Sequence, residues 1–261
     1  MARPTVLITG ASSGIGLAFA RKLAADGQDL VLVARREGRL KELADELAAG
    51  HPVTTEVLAA DLTDADDLAR VEARVAEHTR PVELLINNAG FGTFGSFAEL
   101  PIDQEEREIR LNVLALVRLT RAAVGAMTGR GRGGIINVSS VASFQAGPYN
   151  ATYSATKAFV TSFTEAVHEE LRGSGVKLMA LCPGFTRTEF QETANAEGAG
   201  VPSLLWQTPE PVVRTALRDL GRGAAVSVPG VHNKMAAMLS QLAPRALTRR
   251  VSGLAGRRLQ S

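Results

Sequence analysis

Tyr153 and Lys157 stand four residues apart in an Ala-rich run that meets neither proline nor glycine before Gly173. The run reads as a helix, so the two side chains share a face and come close enough to interact. A phenol has a reference pKa of about 10, too high to exchange protons readily at neutral pH. A neighbouring ammonium stabilises the phenolate, at about 1.4 kcal/mol for each pKa unit removed. Ser140, thirteen residues before the tyrosine, closes the apolar run from Gly134, which reads as a buried strand. A hydroxyl there can hold a substrate oxygen while Tyr153 gives or takes its proton.

A Tyr-x3-Lys pair can equally be the solvated face of any helix. Usage in this chain sharpens it. There are only two tyrosines, and only five of the 29 Lys and Arg residues are lysine. Arginine is the default cation here, yet it poorly replaces a compact ammonium beside a phenol.

The elements that position these groups alternate in type. Thr5–Thr9 is a short β-branched run, followed by Gly10-Ala-Ser12-Ser13-Gly14-Ile15-Gly16 and then an apolar helical stretch. Strand, glycine turn and helix together suit a phosphate: the turn lets backbone approach closely, and the helix start offers N–H groups and a positive dipole end. The spacing is G-x3-G-x-G rather than G-x-G-x2-G. A second strand, Asp29–Ala34, ends at Arg35-Arg36. The residue just past that strand reaches the adenosine ribose, where an arginine suits a 2′-phosphate and an acid suits a 2′-hydroxyl. Arg35 therefore points to NADP(H), unless the two arginines merely open a charged helix. Val53–Ala59 reads as the third strand, closed by Asp61-Leu62. Asp61 is either a helix cap or an acceptor for the adenine amino group. The fourth, Val82–Ile86, ends in Asn87-Asn88-Ala89-Gly90, where amides can tie strand ends beside a ligand.

In order and spacing, Thr9-Gly10-x3-Gly14-x-Gly16, Asn87-Asn88-Ala89-Gly90, Ser140, Tyr153-x3-Lys157 and Pro183-Gly184 resemble the short-chain dehydrogenase/reductase family, over residues 4 to about 230. The resemblance implies an α/β fold: a single domain with a doubly wound, Rossmann-like, mostly parallel seven-stranded sheet in the order 3-2-1-4-5-6-7 and helices on both faces. The chemistry it implies is carbonyl–alcohol interconversion with NADP(H): Ser140 holds the oxyanion, Tyr153 is the acid, and Lys157 lowers the tyrosine pKa and binds ribose. It also implies that Asn112 kinks the helix Asp103–Thr128 and holds a water. Gly10, Ser12, Ser13, Gly14, Ile15, Gly16, Arg35, Asp61, Leu62, Asn88, Ala89, Gly90, Pro183, Gly184 and Thr188 would line the cofactor with Tyr153 and Lys157. Members commonly dimerise through the helices carrying Asn112 and Tyr153, and Phe159 and Phe163 fit a homodimer of that kind.

Composition agrees with one large α/β domain: 261 residues, 45% hydrophobic and 21% charged. A net charge of +2 does not call for nucleic acid, Cys182 is the only cysteine, and the four histidines show no metal-ligand spacing. The start is too short in apolar length for a signal peptide, and no apolar run approaches the roughly 20 residues of a membrane span. A cytoplasmic protein is expected.

Residues 189–208 resemble the family's substrate-covering segment. Leu204, Leu205 and Trp206, with Phe91, Phe94, Phe144 and Phe185, suggest an apolar pocket for a lipophilic ketone or aldehyde. After residues 1–230, the catalytic domain, the composition shifts. Residues 231–261 hold six basic and no acidic residues, with one apolar stripe at Met235, Met238, Leu239 and Leu242 and another at Leu247, Val251 and Leu254. Those stripes can pack on the domain, or lie as a peripheral contact on an anionic membrane. Two other classes stay open: an epimerase or dehydratase on this scaffold, and a non-catalytic NADP-binding regulatory module.

Overall fold

The structure, a computed structural model, describes residues 3–189, 206–243, 246, 248–250 and 252–253. Its sheet is built from β1 (Thr5–Thr9), β2 (Asp29–Ala34), β3 (Thr55–Ala59), β4 (Val82–Asn87), β5 (Gly133–Val138), β6 (Val176–Leu181) and β7 (Val226–Ser227). They run in the order β3-β2-β1-β4-β5-β6-β7, and every pairing is parallel. The order reverses at β1, which lies between β2 and β4, and there a crevice opens at the strands' carboxyl ends.

The strands are apolar on both faces because helices cover both. Val6 and Ile8 of β1 face Phe19 and Leu23 of α1 (Gly14–Ala25), Leu40 and Leu47 of α2 (Glu37–Gly50) and Val212 and Ala216 of α7 (Pro209–Gly221). Leu7, between them, faces Leu68 and Val71 of α3 (Ala65–Ala76) and Leu119 and Met127 of α5 (Leu116–Thr128). Each fully buried Leu, Ile or Phe contributes about 1.5–3 kcal/mol by leaving water.

Some strand bounds differ from the sequence reading. β3 starts at Thr55 rather than Val53, and β4 runs on to Asn87. β5 stops at Val138, and Ser140 instead caps a short 3-10 turn (Val141–Phe144), its Oγ accepting from the Ala142 N–H at 3.1 Å. Ser140 has thus left the sheet and sits at the crevice.

The long helix expected from Asp103 is continuous over Ile102–Thr128, as α4 (Ile102–Ile109), a π-helical turn (Arg110–Ala115) and α5. This helix is long and apolar enough to cross a membrane, contrary to the sequence reading. It is a core element all the same: Ala115, Leu119, Ala123 and Met127 are buried against the sheet. Asn112 sits in the π turn, where its Nδ2 donates to the Phe91 carbonyl (2.8 Å) and to Thr156 Oγ1 (3.1 Å). The two partners fasten the widened turn to α6 (Ala151–Glu170) and to the loop after β4.

Candidate active site

At the end of β1 the chain can turn only with glycine. Gly10 (φ +66°) and Gly14 (φ +56°) are left-handed, and a Cβ on Gly10 would lie 2.8 Å from Asn88 Nδ2. Gly16 packs behind the turn, where a Cβ would strike the Gly10 carbonyl; it seats α1 on β1 rather than lining the crevice. α1 carries no acidic residue in its first turn, and the Ser13 side chain does not cap it. Its N–H groups therefore face the crevice available to an anion. Asn88 ties the turn to β4, donating to the carbonyls of Thr9 (2.9 Å) and Gly10 (3.2 Å).

One cavity of about 720 Å³ runs from this turn along the strand ends. It brings together Gly10, Ser12, Ser13, Gly14, Ile15, Arg35, Asp61, Leu62, Asn88, Ala89, Gly90, Ser140, Tyr153, Lys157, Pro183, Gly184 and Thr188. Asn112 lies just behind it, 1% exposed. Of the aromatic residues expected at the pocket, Phe91, Phe94, Phe185 and Trp206 line it; Phe185 and Trp206 pack with ring centroids 5.5 Å apart. Phe144 does not line it, because the 3-10 turn carries it away. Leu204, Leu205 and most of the expected covering segment lie outside the described residues. The segment's ends are pinned together by Arg187 N–H to Gln207 O and Gln207 N–H to Phe185 O, both 3.0 Å.

At the end of the cavity beyond β2 the two arginines divide. Arg36 donates to Ser12 Oγ (3.1 Å) and pairs with Glu189 (3.0 Å), which also holds Arg39. Arg35 is exposed at the cavity and makes no ion pair among the described residues. Asp61 is not the cap of α3; Asp64 is, accepting from the N–H groups of Asp66 and Asp67. Asp61 instead accepts from the Thr63 N–H (3.0 Å) and hydroxyl (2.7 Å) and pairs with Arg107 at 3.4 Å. Burial raises its carboxyl, but the Thr63 hydrogen bonds and the charges of Arg35 and Arg107 outweigh this and hold it below the usual range.

Tyr153 and Lys157 share a face of α6, with the lysine Nζ 5.6 Å from the tyrosine ring centroid and donating to the Val138 carbonyl at 2.9 Å. Ser139 Oγ donates to the Lys157 carbonyl (2.8 Å), which clamps α6 to the end of β5. In the protein by itself the phenol is not lowered, against the expectation. Burial pushes Tyr153 up to about 12, opposed by a hydrogen bond with Ser140, and burial brings Lys157 down to about 8. For the phenol, desolvation outweighs the Ser140 hydrogen bond, and the nearby Glu108 charge adds to the rise. Tyr149, at φ +66°, is the one non-glycine residue among those described with a positive φ, and it ends the loop leading into α6. Such backbone strain clusters at functional sites.

Sequence reasoning missed a buried acidic pair one turn before Asn112. Glu108 is fully buried and Glu105 4% exposed, and the Thr93 hydroxyl donates to both, at 3.0 and 2.5 Å. Thr152, at the start of α6, also donates to Glu105. The signal was present as the apolar-face register Glu105, Glu108, Asn112 on one helix. Burial pushes Glu108 up to about 7, with Thr93 and Lys157 opposing and Glu105 adding to the rise. Glu105, Lys157 and Tyr153 are the titratable groups that act on it or feel it. Because the folded pKa is raised, this group's contribution to stability is full below about pH 4.5 and is lost as pH rises through about 7. Glu108→Gln keeps the shape and removes the titration. Its melting temperature is expected to gain on that of the wild type between about pH 5 and about pH 8; a constant difference in thermal denaturation contradicts this.

A doubly wound parallel sheet with this glycine turn and a Ser, Tyr and Lys meeting at its switch point defines a class that comparison with known proteins identifies. The sequence profile described as short chain dehydrogenase matches residues 4–199. The chain belongs to that family, whose members are oxidoreductases acting on small molecules. It is 36% identical over 190 residues to a short chain dehydrogenase of Pseudocercospora fijiensis, a match covering 71% of this chain and 60% of that one, so it spans about three-fifths of that relative's length. It superposes on a short-chain dehydrogenase from Sphingobium yanoikuyae in complex with NADPH, with 40% identity, a TM-score of 0.84 and coverage of 96% and 94% of the two chains. The bulky-bulky ketone specific alcohol dehydrogenase from Comamonas testosteroni is 34% identical, with a TM-score of 0.80 and coverage of 94% and 97%.

Proposed function

We propose that the protein is an NADP(H)-dependent reductase of lipophilic ketones or aldehydes. The observation that carries this is the meeting, in one cavity, of the glycine turn, an exposed Arg35 that makes no ion pair among the described residues, a Tyr153 hydrogen-bonded to Ser140, and a wall of Phe91, Phe94, Phe185 and Trp206. The residues fit the cofactor: Gly10, with no side chain to strike Asn88 and Ala89, lets the turn close with its backbone at the cavity, and the α1 N-terminus suits a diphosphate. Arg35 would take the 2′-phosphate in its guanidinium fork. The NADPH relative and the ketone-specific relative support the cofactor and the substrate class respectively.

When bound, NADPH supplies the hydride that goes to the carbonyl carbon. Ser140 holds the carbonyl oxygen as charge develops there, and Tyr153 gives it a proton. Lys157, mostly protonated at neutral pH, holds the ribose and stabilises the phenolate left behind. Asn112 lies beside it: a Cβ on Gly90 would lie 2.8 Å from Asn112 Oδ1 and 3.4 Å from Lys157 Nζ. The proton returns to Tyr153 along that side, through water held by Asn112. In this reading residues 1–230 form the catalytic unit, and 231–261 are a basic tail.

Loss of NADPH absorbance across a panel of aldehydes, alkyl ketones, steroids and quinones tests the reading. Consumption with the larger apolar carbonyls is expected. A protein that binds NADPH but turns over no carbonyl contradicts the enzymatic reading.

A homodimer through the helices of Asn112 and Tyr153 is the expected assembly. Phe159 and Phe163 stack at 5.8 Å, and Phe159, Ile109 and Leu114 are each nearly half exposed on those helices. Apolar side chains so placed gain by being covered in a second copy. Sedimentation at micromolar concentration should give a dimer, and Phe159→Glu should shift it towards monomer.

A further inference from the structure

The helix α8 (Val231–Leu242) is amphipathic the wrong way round for a helix packed on a domain. Its inner face is small and polar. Asn233 is buried and donates to the Pro229 carbonyl at 2.8 Å, and Ala237 is buried one turn later. Asn233 also fills the space beside Gly184, where a Cβ would come within 2.5 Å of its amide carbon. The outer face is apolar. Val231, Met235, Met238, Leu239 and Leu242 are 56–75% exposed and, at 3.6 residues per turn, fall within an arc of about 100°. The packing of this stripe on the domain, one of the two outcomes open in the sequence, is therefore not what the fold adopts; the second stripe (Leu247, Val251, Leu254) lies outside the described residues.

We propose that this face docks the protein on an anionic lipid surface, the five apolar side chains entering the headgroup boundary and the exposed Lys234, Arg249 and Arg250 meeting the lipid charge. Charge selects this occupant. From Val231 onward there are six basic and no acidic residues, while the whole chain is only +2, so the rest of the molecule is net acidic. Lys234 on α8, and Arg249 and Arg250 just beyond it, are exposed. A two-fold contact through α8 would set two such tails against each other, at a cost in like-charge repulsion that an anionic membrane reverses. The helix is about 18 Å long, too short to cross a bilayer and suited to lying in its surface.

Its place in the fold gives the contact a consequence. α8 packs on the 3-10 turn that follows Ser140, Ser252 lines the cavity, and a Cβ on Gly253 would touch Pro148 at 4.0 Å. The helix that carries the docking face thus packs, by its other side, on a turn at the cavity's rim, so docking would bring the cavity close to the lipid surface. The docking itself does not depend on the catalytic reading, since it rests on α8 and the tail alone.

The test uses the full chain and sedimentation with vesicles of phosphatidylcholine alone or mixed with phosphatidylglycerol. Binding to the mixed vesicles, weakened by salt, is expected, with little binding to the neutral ones. Met238→Glu combined with Leu242→Glu should reduce binding by on the order of tenfold or more, as should Arg249→Glu with Arg250→Glu. All four residues are exposed, so cofactor affinity and melting temperature should stay unchanged. The proposal is overturned if the wild type ignores both vesicles, or if both variants bind as it does. It is also overturned if no vesicle is bound and the Met238→Glu, Leu242→Glu variant instead becomes a smaller oligomer, which makes a second copy the occupant.

Discussion

Tyr153→Phe is expected to lower turnover by at least about a hundredfold while leaving cofactor affinity nearly intact, the scale on which a positioned proton donor contributes. The substitution removes one oxygen. The ring, the packing of α6 and the 5.6 Å approach of Lys157 all survive it. What disappears is the acidic hydroxyl beside Lys157; Ser140, which only accepts from the Ala142 N–H, can still hold the substrate oxygen through its own O–H, but an aliphatic hydroxyl is too weak an acid to give that proton up. The measurement is paired: NADPH titration by fluorescence, and turnover with the best carbonyl from the panel. Near-normal turnover would remove Tyr153 from the proposed chemistry, whereas lost NADPH binding would mean that the phenol holds the cofactor more than the substrate. Lys157→Arg should fail as well, because a guanidinium cannot occupy the compact site under the Val138 carbonyl.

Arg35→Asp is expected to exchange cofactor preference. A charge-assisted, bidentate contact is worth about 1.5–3 kcal/mol, so its loss should weaken NADP(H) binding roughly ten- to a hundredfold, and the new carboxylate adds repulsion to a 2′-phosphate. The same carboxylate can accept from a 2′-hydroxyl, so NAD(H) should gain. Arg36→Ala is the control. Arg36 is already committed to Ser12 and Glu189, so its removal should loosen that corner without reversing the preference. Titration of both cofactors against the three proteins decides. A wild type that prefers NAD(H) would show that Arg35 does not read the phosphate.

Much of this molecule follows from local sequence. Gly10 and Gly14 announce a turn because no other residue adopts their left-handed backbone, beside Asn88 and Thr188 respectively, at so little cost. The short apolar runs of β1, β2 and β4 are strands buried on both faces, and their alternation with helices leaves a parallel doubly wound sheet as the economical arrangement. Helical spacing put Tyr153 beside Lys157, and it put Met235, Met238, Leu239 and Leu242 on one stripe. Periodicity fixes which side chains share a face, but it is silent on what that face meets. Tertiary structure therefore decided that the α8 stripe turns to solvent, since the anchor is Asn233 beneath Gly184, a contact between distant segments. It gave the cap of α3 to Asp64, freeing Asp61 for Thr63 and Arg107, and it split Arg35 from its neighbour through Ser12 and Glu189. It also set the proton affinities. Tyr153 rises to about 12 and Glu108 to about 7 because the packing of whole elements strips water from both, and solvent loss belongs to the assembled fold rather than to any short stretch of chain.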